Sequence, residues 1–139
     1  MFRVKKSRFR FWLILTLVWL GFIFLHSAMP AATSRAESSG LLAVVGTVLP
    51  WMTHNLLRKI AHFIEFSLLG VFMTGAFRYA GRFILLKPLA FTLLTALCDE
   101  TLQIFIDGRS GQIFDIWLDF SGAVFGTLIA WLIYRLRKH

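Results

Sequence analysis

Cysteine is nearly missing from this chain. Cys98 stands alone among 139 residues, so no internal disulfide forms, and its apolar neighbours give it a packing role rather than a redox one. Proline is confined to Pro30, Pro50 and Pro88, which leaves long stretches free to form unbroken helices. There is no P-loop, dinucleotide fingerprint, zinc motif, Gly-x-Ser-x-Gly elbow or internal repeat, which removes the common nucleotide-binding, zinc-binding and serine-hydrolase classes. Acids are scarce as well: seven Asp and Glu face fifteen Lys and Arg.

What the chain has in excess is apolar surface. At 58% hydrophobic residues and a mean hydropathy of +0.71 it exceeds what a soluble core of this size uses, and the reading is a single-domain, all-α integral membrane protein. The net charge of +8 does not point to nucleic acid, because the basic residues are not gathered on one face. Arg3, Lys5, Lys6, Arg8 and Arg10 precede the first apolar run; Arg78, Arg82 and Lys87 lie in the middle; Arg135, Arg137 and Lys138 follow the last. This is the distribution of short cytoplasmic segments in a multi-pass protein with both termini inside.

Four apolar runs carry the expected spans, at residues 9–29, 56–77, 88–106 and 113–134, and the first reaches about 31 Å at ~1.5 Å per residue. The basic start and the small residues around Pro30 also fit a cleavable signal peptide. On either reading the chain beyond Pro30 begins outside. Residues 41–52 form a short interfacial segment, too short to span, with Trp51, Met52 and His54 at headgroup level. A basic turn at Arg78, Gly81 and Arg82 closes the second span, and Asp107 to Gly111 make a tight external turn with two glycines able to take positive φ. The expected fold is a four-helix bundle with both termini in the cytoplasm.

Five acids lie inside these runs: Glu65, Asp99, Glu100, Asp115 and Asp119. An ionised side chain at the centre of a membrane helix costs ~2.5 to 3.5 kcal/mol on the lenient insertion scale, so such groups face a protein interior and carry function. At 100° per residue, Arg58, His62 and Glu65 share an arc of about 60° on the second run. Asp99, Glu100 and Gln103 share a sector of the third. Asp115, Asp119, Gly122 and Gly126 form one stripe of the fourth, and Gly70 with Gly122 and Gly126 has the small-residue spacing that lets helices approach closely. Glu65, Asp99 and Asp119 fall at a common depth of roughly 9 to 13 Å below the outer ends. The expectation is an outward-facing polar pocket over a dry base.

His62 with Glu65 is the expected acid-base pair, three residues apart on one face, with Asp99 or Asp119 as the second carboxylate. Gln103 bridges Asp99 and Glu100; Asp115 serves the pocket or caps the last helix. Arg109, in its glycine-flanked turn, reads a phosphate or carboxylate, with Arg58 nearby. One His among carboxylates is oxygen-rich ligation that suits Mg²⁺ or Mn²⁺ better than zinc, but no metal or other cofactor is expected. The five tryptophans face lipid or the interface.

Lys59 to Phe66, Asp99 to Gln103, Gly108-Arg109-Ser110, and Asp115 through Asp119 to Gly122 and Gly126 together resemble the VanZ-like family of small bacterial membrane proteins. The resemblance covers roughly residues 58–132. It implies a multi-helix protein of the bacterial plasma membrane, with founding members linked to low-level resistance to the glycopeptide teicoplanin; where those members tend to have Asn, this chain has Asp119. The pocket is then expected to bind or modify an amphiphilic cell-envelope molecule, lipid-linked or glycolipid in nature, among membrane lipids. Whether a bond is broken stays open, and a proton-linked small transporter or a non-catalytic structural or sensing module are the alternatives.

Overall fold

The computed structural model describes residues 2–79 and 84–137, with the side chains of residues 2–5 left aside. Gly81 and Arg82 of the expected basic turn, and Lys138 of the basic tail, lie outside the described residues. Five helices follow one another: α1 Phe2–Ser27, α2 Ala31–Val45, α3 His54–Phe77, α4 Leu86–Gln103 and α5 Ile113–Leu136. Three of them, α1, α3 and α5, are long and apolar enough to cross a membrane.

Two expectations give way to the structure. The element between the first two spans is a full helix, α2, of 15 residues rather than a short segment at 41–52, so the bundle of four becomes an assembly of five. Ala31, Ala32 and Ala36 favour helix strongly and Pro30 stands just before the first helical turn, a local preference that outweighs the polar composition of residues 31–40. The helix expected to reach residue 106 ends instead at Gln103, where the chain unwinds into turns. Only Gly108 of the two turn glycines takes positive φ, at 73°, in a turn joined to α2 by the Ala31 N–H donating to the Asp107 carbonyl at 3.1 Å. At the start of α3, the Thr53 hydroxyl accepts from the Leu56 N–H at 3.2 Å and caps the helix.

The most extensive packing is between α3 and α5. Glycine makes it possible. A Cβ on Gly126 would stand 1.8 Å from the Ser67 carbonyl oxygen, one on Gly122 2.4 Å from that of Phe63, and one on Gly70 2.4 Å from that of Ala123. The two backbones touch, as the small-residue spacing predicts. On the α1 side, Gly75 receives the Trp12 ring, and the Trp19 indole N–H donates to the Glu65 carbonyl at 2.9 Å, so these two tryptophans pack inward rather than facing lipid. Trp51 and Trp117 are exposed, as expected. Cys98 is exposed too, on the outer face of α4.

Polarity is inverted relative to a soluble protein. Phe66, Leu69, Met73, Ile23, Ala96 and Ala123 form one buried apolar cluster, yet Thr74, Thr92, Thr127, Asp99 and Asp119 are equally buried, while Ile14, Leu17, Val18, Leu25, Phe125 and Leu132 are exposed. Buried threonines satisfy their hydroxyls on helix carbonyls: Thr74 on that of Gly70 at 2.7 Å and Thr95 on that of Phe91 at 2.8 Å within their own helices, and Thr127 across to that of Gly70 at 3.5 Å. An apolar exterior around a polar interior is what lipid as solvent selects.

Candidate functional site

α3, α4 and α5 each carry polar residues at one end of the bundle, and these ends meet. His62, Asp99 and Asp119, 6%, 0% and 0% exposed, place a nitrogen and two carboxylate oxygens within 4.8 Å of one another. The common level was expected of Glu65, Asp99 and Asp119; the group that comes together has His62 in place of Glu65. Arg58, Lys59, Glu100, Gln103 and Asp115 surround a narrow space of about 10 Å³ beside His62 and Asp119.

Pairing differs from the expectation. His62 Nδ1 faces Asp119 Oδ1 at 3.5 Å, while Glu65 Oε1 lies 2.9 Å from His26 Nδ1 of α1. His62 and Glu65 therefore each look across to another helix rather than to one another. Wheel arithmetic places residues on a face but does not choose their partner on the helix opposite. Sequence reasoning misses His26 and Ser27, whose one signal is a polar pair ending an otherwise apolar run. The Ser27 hydroxyl donates to Asp99 Oδ2 at 2.9 Å, which gives the end of α1 a place in the buried cluster.

Gln103 bridges Asp99 and Glu100 as expected, its amide donating to Asp99 Oδ2 at 3.0 Å and to Glu100 Oε1 at 3.3 Å. Glu100 spends its other oxygen on the Gln112 N–H at 2.8 Å and so caps the beginning of α5 from α4. Asp115 pairs with Lys59 Nζ at 3.0 Å, and the same ammonium lies over the Phe114 ring. Several buried atoms take no hydrogen bond among the described residues: both oxygens of Asp119, Oδ1 of Asp99, Oε2 of Glu65 and Nδ1 of His62.

A larger cavity of about 680 Å³ opens at the same end, framed by α2, the start of α3 and the turn at Gly108. Arg35, Arg58 and Arg109 line it with the hydroxyls of Ser34, Ser39 and Ser110, and no carboxylate does. Arg58 lines both this vestibule and the narrow space below. Arg109 reaches the His26 carbonyl at 3.4 Å through Nη2, leaving Nε and Nη1 buried without a partner among the described residues. Burial, and behind it the Arg58 guanidinium, lower its pKa from the ordinary arginine value.

A helical membrane protein with a polar core at one end of its bundle and a cationic vestibule above it is the class these features define. The VanZ/LLP1 family model matches residues 11–134, nearly the whole chain, and the protein belongs to that family. No curated protein and no solved structure matches the chain.

Proposed function

We propose that the protein is a four-span component of the bacterial plasma membrane, both termini cytoplasmic, whose outward vestibule binds the anionic head of an amphiphilic cell-envelope molecule. α4 is the fourth span: its 18 residues cover ~27 Å at 1.5 Å each, and it turns Phe91, Leu94 and Leu97 outward while keeping Asp99, Glu100 and Gln103 inside. Arg78, stacked over the Tyr79 and Tyr134 rings, and Arg135, over the Trp131 ring, suit the cytoplasmic headgroup level.

The single observation that carries the reading is the acid-free vestibule with three guanidiniums directly above buried ionisable groups. Its volume matches cavities that take small molecules, and Arg109 with unsatisfied planar donors fits the oxygens of a phosphate or carboxylate. The apolar tail of the ligand lies in the surrounding bilayer. His62, Asp99 and Asp119 then stand below the bound head as the buried polar groups available to any chemistry there. A link to teicoplanin resistance, as in founding members of the family, would on this reading follow from occupation of a lipid-linked envelope molecule.

Native mass spectrometry of gently extracted protein tests this. The expected result is a co-purifying phosphorylated or carboxylated lipid that is lost in an Arg58→Gln, Arg109→Gln double variant of unchanged fold. Protein that carries no anionic lipid, or carries it equally in the double variant, removes the proposal. A proton-linked transporter has less support, because the buried threonines of the opposite half bond to helix carbonyls and, among the described residues, offer no chain of titratable groups.

A further inference from the structure

The vestibule does not explain the base of the site. Asp119 is fully buried with neither oxygen hydrogen-bonded among the described residues, and Asp99, equally buried, leaves Oδ1 unpartnered. An ionised carboxylate buried without a partner is strongly disfavoured and persists only when something neutralises it. Lys59 is held by Asp115 at 3.0 Å and His26 faces Glu65 at 2.9 Å, while Arg58 lines the adjoining space and makes no ion pair with Asp99 or Asp119 within 4.0 Å. His62 faces Asp119 at 3.5 Å, beyond a strong hydrogen bond.

We propose that His62, Asp99 and Asp119 bind one divalent metal ion in the interior of the bundle. Two carboxylates and a neutral imidazole cancel the charge of such an ion, so the filled site is neutral, as a buried site must be. Asp99 is already held in place, since Ser27 and Gln103 both donate to Oδ2 and leave Oδ1 without a hydrogen bond among the described residues. The three donor atoms lie within 4.8 Å of one another, and ligands held ~2.0 to 2.2 Å from a single ion stand about 3 to 3.5 Å apart, a difference that small side-chain rotations make up. The adjoining space of about 10 Å³ is near the size that admits one water as a further ligand. One nitrogen with carboxylate oxygens suits an ion of the Mn²⁺ kind. The ion site rests on this polar base alone and stands whether or not the vestibule takes a lipid head.

The test uses the full chain in lipid nanodiscs, stripped with chelator and titrated with Mn²⁺ while free ion is read by electron paramagnetic resonance. One ion per chain is expected. Asp119→Asn abolishes binding, Ser27→Ala weakens it by roughly 10- to 100-fold through loss of the bond that orients Asp99, and Glu37→Gln on the exposed face of α2 leaves it unchanged. Ser27→Ala keeps the decision available should Asp119→Asn fold poorly. Wild-type protein that binds no stoichiometric Mn²⁺, or a Ser27→Ala variant that binds as the wild type does, overturns the site. Mn²⁺ binding that survives in the Arg58→Gln, Arg109→Gln variant while lipid is retained equally there condemns the vestibule reading and leaves the ion site standing.

Discussion

Asp115 shows how much of this protein is settled by partner choice at single residues. It opens α5, where a carboxylate complements the helix dipole, but its close contact is Lys59 of α3 at 3.0 Å. The pair is partly screened at the bundle end, so its removal costs less than a deep ion pair does. Lys59→Met is expected to destabilise the protein by about 1 to 3 kcal/mol in unfolding by denaturant in micelles, and a second change, Asp115→Leu, to recover most of that loss, because breaking one partner strands the other. A double variant no more stable than the single one contradicts the pairing. The same logic shows what was legible in the sequence at this scale. The identity of His62, Asp99 and Asp119 as interior groups follows from acids in apolar runs. Their partners do not, because Glu65 and His26, or Asp99 and Ser27, meet only after the helices are placed side by side.

At the scale of the elements, contact between α3 and α5 carries the arrangement. Gly122 and Gly126 abut the carbonyls of Phe63 and Ser67, a geometry no side chain tolerates. Gly126→Val is expected to lower stability by more than the ~1 to 3 kcal/mol of ordinary overpacking, since backbone rather than a flexible side chain obstructs it. Gly21→Ala, at an exposed site of α1 with no atom near the added Cβ, is expected to leave stability within about 1 kcal/mol of the parent. Thermal unfolding of the two variants in one detergent compares them directly; equal effects contradict the close approach. Three of the four expected spans, now α1, α3 and α5, and this glycine seam were readable from apolar runs and small-residue spacing. α2 was not, because its composition is polar enough to pass for a loop, and only its alanines and the preceding Pro30 signalled a helix.

For the molecule as a whole, the inverted polarity fixes what each end can do. One end holds the vestibule and the polar core; at the other, aromatic rings and arginines are stacked. The proposed orientation predicts that, on a Cys98→Ser background in intact cells, Glu37→Cys reacts with a membrane-impermeant maleimide and Arg137→Cys does so only after permeabilisation. The reverse pattern places the vestibule in the cytoplasm and removes an envelope molecule as its ligand. The polar core beneath the vestibule, and the ion site in it, depend on three helices delivering His62, Asp99 and Asp119 to one buried point. The most direct measurement is a double-mutant cycle of His62→Gln and Asp119→Asn by equilibrium unfolding in micelles. A coupling energy above about 1 kcal/mol is predicted for side chains 3.5 Å apart, whereas additivity within ~0.5 kcal/mol, the behaviour of separated sites, contradicts the convergence.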